Sequence, residues 1–340
     1  MNTIKITSLF VLVLYVFNAK SQDVILSQPL ESPITLNPAN TGAQYDIRSN
    51  LNYRQQWRCV TDPFTTVMAS ADSKIISSNR SSSLGLGLFI MNDRAGGAHL
   101  NTFLGGVNIA AKVPISNSQN ISAGIGTAFM QRHIDYSALS WDKQYDGLVY
   151  NPGLSSGEQM SNERTNNIDL STGVQWSYGK GATTLSSNDN FGVQVGVSVF
   201  HLNKPNLSFD YNDKSYMRFV LHSTLSYGIK NSNMQISPSF IAAFQGPSKM
   251  FYGGALVKYK LQESSKYTDY VLARMLNVGT FYRFGDAIVL MTQLEWGQFA
   301  FGISYDINTS SLTRVSSGRG GFEISARYMP MKSGVSSRLL

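Results

Sequence analysis

Residues 36–57, LNPANTGAQYDIRSNLNYRQQW, decide the fold. From position 46 onward the stretch alternates. Ile47, Leu51, Tyr53 and Trp57 fall on one face; Asp46, Arg48, Asn50, Asn52, Arg54 and Gln56 fall on the other, with Ser49 and Gln55 the exceptions. A period of two is the signature of a β-strand with one apolar and one polar face. Two arginines among amides and a carboxylate are costly in a packed soluble core. They suit a water-lined barrel whose outer face meets lipid. Because the pattern recurs down the chain, the expected fold is all-β, a transmembrane antiparallel β-barrel.

The 340 residues show no composition break or linker, so positions 44–329 read as one barrel domain. Charged residues make up 14% and aromatics 11%, a balance that suits a barrel and argues against disorder. Lys5, the apolar run LFVLVLYVF at 9–17, and Ala19, Lys20 and Ser21 read as a signal peptide over 1–21, with the mature chain starting near Gln22. Nine apolar residues fall short of the ~20 that a transmembrane helix needs, and no later segment comes close, so any membrane crossing is by strands. No cysteine directly follows the apolar run, which argues against lipoprotein processing. The formal charge of +7, or +5 once Lys5 and Lys20 are removed, is dispersed. With no basic stripe, nucleic acid is not an expected partner. The single cysteine, Cys59, has no partner for an internal disulfide and falls in a turn after the first strand.

Residues 22–43 are mostly polar and contain Pro29, Pro33 and Pro38, so no long helix or strand is expected there. They read either as a plug or lining of the periplasmic mouth or as a solvated leader. Alternation then returns repeatedly. Leu84, Leu86, Leu88 and Ile90 oppose Gly85, Gly87, Phe89 and Met91; Ile168, Leu170, Thr172, Val174, Trp176 and Tyr178 oppose Asn167, Asp169, Ser171, Gly173, Gln175 and Ser177. Residues 92–97 read as a tight loop and 113–119 as a turn. Counting gives about fourteen strands, comparable with channels of the FadL type, with both ends on one side and a tail over 330–340. That parity places the irregular stretches 132–165, 201–215 and 308–318 together on the external side. The longest of them offers Trp141, Asp142, Tyr145 and Asp146 as a candidate external contact. A soluble sandwich would also alternate, but not with so many consecutive strands or such charged polar faces.

The sequence offers no catalytic constellation. The four histidines lack ligand spacing, and neither a P-loop nor a nucleophile elbow is present. Gly85 and Gly87 sit on a strand rather than before a helix. A calcium loop opening at Asp210 and Asn212 fails, because Lys214 and Ser215 stand where a ligand and a glycine are required. No cofactor is expected. Arg48, Arg54, Asp169, Arg218, Glu295, Glu323 and Arg327 form a lumen charge ladder expected to neutralise itself.

Ser27 and Gln28, then Leu36, Asn37, Pro38 and Ala39 with Gly42, and then Tyr53, Arg54, Gln55, Gln56 and Trp57 form an opening signature. Further along come Asn92, Asp93 and Gly96; His201, Leu202 and Pro205; Tyr282 and Arg283 with Asp286; and the run FGISYD over 301–306. In this order the chain resembles the PorP/SprF family of type IX secretion system outer-membrane proteins of Bacteroidetes. It departs from the family pattern in having Arg58 after the tryptophan and in continuing past Tyr328. The resemblance implies a non-enzymatic outer-membrane barrel. Its binding residues would be Asn37, Pro38, Ala39, Arg54, Gln56 and Trp57 in the lumen or at the periplasmic mouth. The implied partner is a secreted protein, such as a gliding adhesin, held through its type IX C-terminal domain. Other members of this family link the outer membrane to periplasmic ring lipoproteins. The Asn37-Pro38-Ala39 piece is also similar to FadL-type transporters of hydrophobic molecules. The lumen, however, reads as polar and charged, which places transport second.

Overall fold

A computed structural model describes residues 23–60, 62–77, 82–158, 163–181, 188–209, 214–263 and 272–330. Residues 1–21, read above as a signal peptide, the rejected calcium positions Asp210 and Asn212, and the tail beyond Pro330 lie outside the described residues.

The strands are β1 Ile47–Gln56, β2 Phe64–Ser77, β3 Ser83–Ala95, β4 Leu100–Ser116, β5 Gln119–His133, β6 Arg164–Lys180 and β7 Phe191–Phe200. They continue with β8 Arg218–Gly228, β9 Met234–Gln245, β10 Ser248–Gln262, β11 Arg274–Arg283, β12 Ala287–Trp296, β13 Phe299–Asn308 and β14 Arg319–Tyr328. Each pairs antiparallel with its sequence neighbour, and β1 closes on β14 from Ser49 opposite Tyr328 to Gln56 opposite Gly321. The result is a closed transmembrane barrel of fourteen strands. Closure leaves no free edge, the condition for a sheet to cross lipid.

Strand faces follow the sequence period. In β1, Leu51 is 51% exposed on the outer wall while its neighbour Asn52 is 1% exposed inside. Outward positions elsewhere are apolar, as with Ile125, Ile168 and Ile303. Aromatics gather toward both rims of that wall. Tyr178 with Phe191 and Phe299 with Tyr328 mark one rim, and Phe244 with Phe251 marks the other. Two such girdles are what interfacial rings form at the two edges of a bilayer.

The two ends differ. Both chain termini of the barrel, Ile47 and Tyr328, lie at one end, here called the terminal end. The described residues of stretches 134–163 and 201–217, and the stretch 309–318, lie at the other, the loop end. Three local expectations change. Residues 92–95 continue β3, because Asp93 still alternates inward between Asn92 and Arg94. Pro114 lies within β4, near a register irregularity close to the strand end where its missing N–H is tolerated. Trp57 leaves the outer face, since a φ of 54° ends β1 and turns its ring onto Phe64, 4.9 Å away.

Candidate functional site

The lumen is occupied by the chain's own residues 23–43, which cross it from rim to rim. The prolines set local structure on the way: a 3-10 turn Pro29–Glu31, a helical turn Pro33–Leu36 and a second 3-10 turn Pro38–Asn40. Proline at the first position of a turn gives up only an N–H that would be unpaired anyway.

The path starts at the loop end, in a clasp. Asp23 Oδ2 lies 2.7 Å from His201 Nε2 and accepts from Arg218 at 3.4 Å, while the Asp23 backbone N–H donates to Gln245 Oε1 at 3.1 Å. His201 Nδ1 meets Asp169 Oδ1 at 2.9 Å. Burial by itself would lower the His201 pKa, but the two carboxylates bonded to its ring push it up to about 10. Burial would raise the pKa of Asp23; His201 and Arg218 outweigh it and hold that carboxyl well below the usual range.

The segment then runs down the seam where the barrel closes. The Ile25 carbonyl accepts from Arg54. Ser27 donates its backbone N–H to Glu323 at 2.6 Å and its hydroxyl to Asp306 at 2.8 Å. Asp306 binds both Arg54, at 3.0 Å, and Arg283, at 2.7 Å. Glu31 pairs with Arg327 at 3.0 Å, and Arg327 reaches Glu295 at 3.3 Å. From there the chain turns across the lumen. Asn108 donates to the Ile34 carbonyl, Ser198 to that of Leu36, and Asn37 lies 3.1 Å from His222. Pro38 rests on Gly124, where a Cβ would stand 2.5 Å from the proline carbonyl carbon. At the terminal end Gly42, with φ +59°, packs so closely on β3 that a Cβ there would come 2.7 Å from Gly85 Cα. A Cβ on Gly85 would in turn meet the Thr41 carbonyl, and one on Gly87 would come 2.9 Å from the Thr41 side chain, so the close approach of the thread accounts for the Gly85 and Gly87 pair without any phosphate.

The charge ladder therefore closes on itself, with members the pattern did not include. Arg48 is paired with Asp72 at 2.9 Å, and Asp23 and Glu31 come from the lumen segment itself. The lumen is nevertheless not uniformly polar, a correction to the sequence reading. Pairing register places Met68, Met91, Leu104 and Met130 side by side across β2 to β5, with Phe89 and Ala128 in the next layer. On the opposite wall Val220, Ile241, Tyr252, Phe281, Val289 and Met291 pack with Leu36 into a core. Phe89 and Met91 already stood on the inward face of the β3 pattern; that was the available signal.

Above this floor a cavity of about 750 Å³ opens at the loop end, bounded below by Ile34, Thr35 and Leu36. Arg54, Gln56 and Trp57 line its wall. They thus lie at the loop end, whereas Asn37, Pro38 and Ala39 are buried within the floor. The six motif residues share the lumen but form two groups on different levels, and not one mouth.

Beside the cavity, loop 134–163 carries a small hairpin. Tyr145 bridges to Tyr150, and Asp146 Oδ1 accepts from the backbone N–H groups of Leu148 and Val149, both at 2.9 Å. Those bonds hold the Asp146 carboxyl below its ordinary range. Gln144 braces the hairpin by accepting from the Trp141 backbone N–H at 3.1 Å and from the Tyr150 hydroxyl at 3.2 Å. The tip presents Leu148, 87% exposed, and Val149. Trp141, Asp142, Tyr145 and Asp146 belong to this one unit; the sequence reading missed the apolar tip itself.

A filled lumen inside a closed sheet defines a plugged transmembrane β-barrel. The chain belongs to the PorP/SprF family of type IX secretion system membrane proteins, whose family model matches residues 18–328. No curated protein matches it. Among solved structures it is similar to the CymD monoaromatic hydrocarbon channel, at 11% identity over 91% of this chain and 94% of that one, with a TM-score of 0.48. A Pseudomonas aeruginosa FadL homologue matches at 9% identity over 88% and 94%, with a TM-score of 0.43. BamA from Haemophilus ducreyi lacking POTRA domains 1–3 matches at 10% identity over 84% and 71%, with a TM-score of 0.41. At these values the fold rests on the strand pairing alone.

Proposed function

We propose that the protein is a non-enzymatic barrel of the outer membrane that holds a secreted partner of the type IX system at the cell surface, through the partner's C-terminal domain. On this reading residues 1–21 are removed as a signal peptide, the loop end faces outward and the terminal end faces the periplasm. The observation that carries the proposal is the closed floor beneath an open vestibule. A lumen crossed by its own chain, which is tied to the walls by the buried Glu31–Arg327 ion pair and the Ser27 bonds to Glu323 and Asp306, is poorly suited to pass a polypeptide. It is well suited to present a rigid outward surface, and the Leu148 and Val149 tip gives that surface an apolar contact.

The test replaces residues 134–163 with a short Gly-Ser linker and captures the protein from gently solubilised outer membranes. Loss of a large secreted protein, with the heat-modifiable folded barrel retained, is the expected outcome. A partner that stays bound sinks the proposal. Co-purification of periplasmic ring lipoproteins in place of a secreted protein would mean a core scaffold. The apolar row Met68, Met91, Leu104 and Met130 supports a second reading, binding of a hydrophobic small molecule. The floor under that row weighs against its transport.

A further inference from the structure

We infer that the mature amino end is carried through the barrel and displayed on the outward face, so that residues 23–43 are a fixed thread and the chain's own start is part of the surface a partner meets. The outward sense rests on the orientation proposed above and the free amino end on the removal of residues 1–21 proposed there; the threading of residues 23–43 rests on neither.

Direction comes first. Asp23 is held at the loop end by His201, Arg218 and Gln245, which sit just past the end of β7, at the start of β8 and at the end of β9. Ala43 is held at the terminal end, where its carbonyl accepts from Lys112 at 2.8 Å. The segment thus spans the lumen with its first residue at the loop rim.

Reach comes second. A strand of ten residues such as β12 is roughly 30 Å long, so a chain leaving Asp23 would need about nine extended residues to return to the terminal end. Cleavage after Ser21 leaves one residue, Gln22, before Asp23. One residue reaches ~3.5 Å, and the amino end has nowhere to go but outward.

Fixity comes third. Withdrawing the segment would separate Glu31 from Arg327 and Ser27 from Glu323 and Asp306, leaving buried charges without these partners.

The test inserts a short epitope between Gln22 and Asp23 of the full-length protein in its native host. Intact cells are then probed with antibody and, in the same preparation, with a membrane-impermeant maleimide. The maleimide reads Cys59, the chain's single cysteine, which is exposed at the loop end. Both signals on intact cells are expected. Cys59 labelling with an epitope seen only after permeabilisation would overturn the inference while leaving the orientation standing. Cys59 silent until permeabilisation would overturn the orientation, and outward display with it. Should the insertion prevent folding, Val24→Cys in a Cys59→Ser background serves instead. Val24 lines the vestibule, so a small charged thiol reagent should modify it on intact cells, and protection there would equally overturn the inference.

Discussion

His201 sits one residue past β7 with Asp169 on one ring nitrogen and Asp23 on the other. Its folded pKa, near 10, lies above the ordinary value of about 6.5, so the stabilisation it brings is complete below ~6.5 and fades as pH rises toward 10. Asp23 is shifted the other way; its share is present above ~4 and is lost on acidification. The clasp is therefore strongest between about pH 4 and 6.5. The thermal midpoint of the folded band is expected to decline from pH 6.5 to 9.5 in the wild type. In His201→Asn the decline over that window should be visibly shallower, measured by heat modifiability across a pH series. Equal slopes in the two proteins would mean that the imidazolium contributes nothing. The sequence placed His201 at the start of an external loop but gave no hint of its partner, because Asp23 lies 178 residues away in a segment without periodicity.

At the scale of the element, β1 was legible almost entirely. Its period of two fixed both its faces and its buried Arg48, Asn50, Asn52 and Arg54. What the period could not supply was the identity of the facing groups. Arg48 is buried against Asp72 on β2 in a two-bond pair at 2.9 and 3.0 Å. Removing one member leaves an uncompensated charge, and Arg48→Ala should cost about 3–5 kcal/mol. Replacing both, as Arg48→Met with Asp72→Leu, should recover most of that loss. Urea unfolding of the folded band measures both variants, and a double variant no better than the single would show that the arginine acts through its bond to the Asn40 carbonyl instead. Other elements were less readable at their ends. Trp57 left its face because a positive φ is invisible in an alternation pattern, and Asp93 was mistaken for a loop residue because its Asn92 and Gly96 neighbours carry turn chemistry.

For the whole molecule, strand number and the grouping of long loops followed from counting, since closure demands parity. The lumen's contents did not, because three prolines predict turns without saying where the turns sit. A crossing thread has an electrical consequence. In planar bilayers the full-length protein should show no steady conductance, whereas deletion of residues 23–40 should open a pore, provided the shortened chain still gives a heat-modifiable band. A steady wild-type conductance would mean a water path around residues 29–43.

The seam contacts carry one more implication, for the order of assembly. Ser27, among the first residues to leave the ribosome, donates to Glu323, 296 positions later, and Arg327 waits for Glu31 in the same way. Loop closure over such separations is entropically slow and gives nothing back until both ends have arrived. The opening residues must therefore be kept from wandering while thirteen intervening strands are laid down. A chain stalled before β14 would keep the clasp on Asp23 and the Asp306 bond to Ser27, but would lack Glu323 and Arg327 to fasten Ser27 and Glu31. Insertion into the membrane is then closer to the shutting of a clasped book than to the stacking of hairpins, and a nascent barrel that lacks its last page has only part of its clasp fastened.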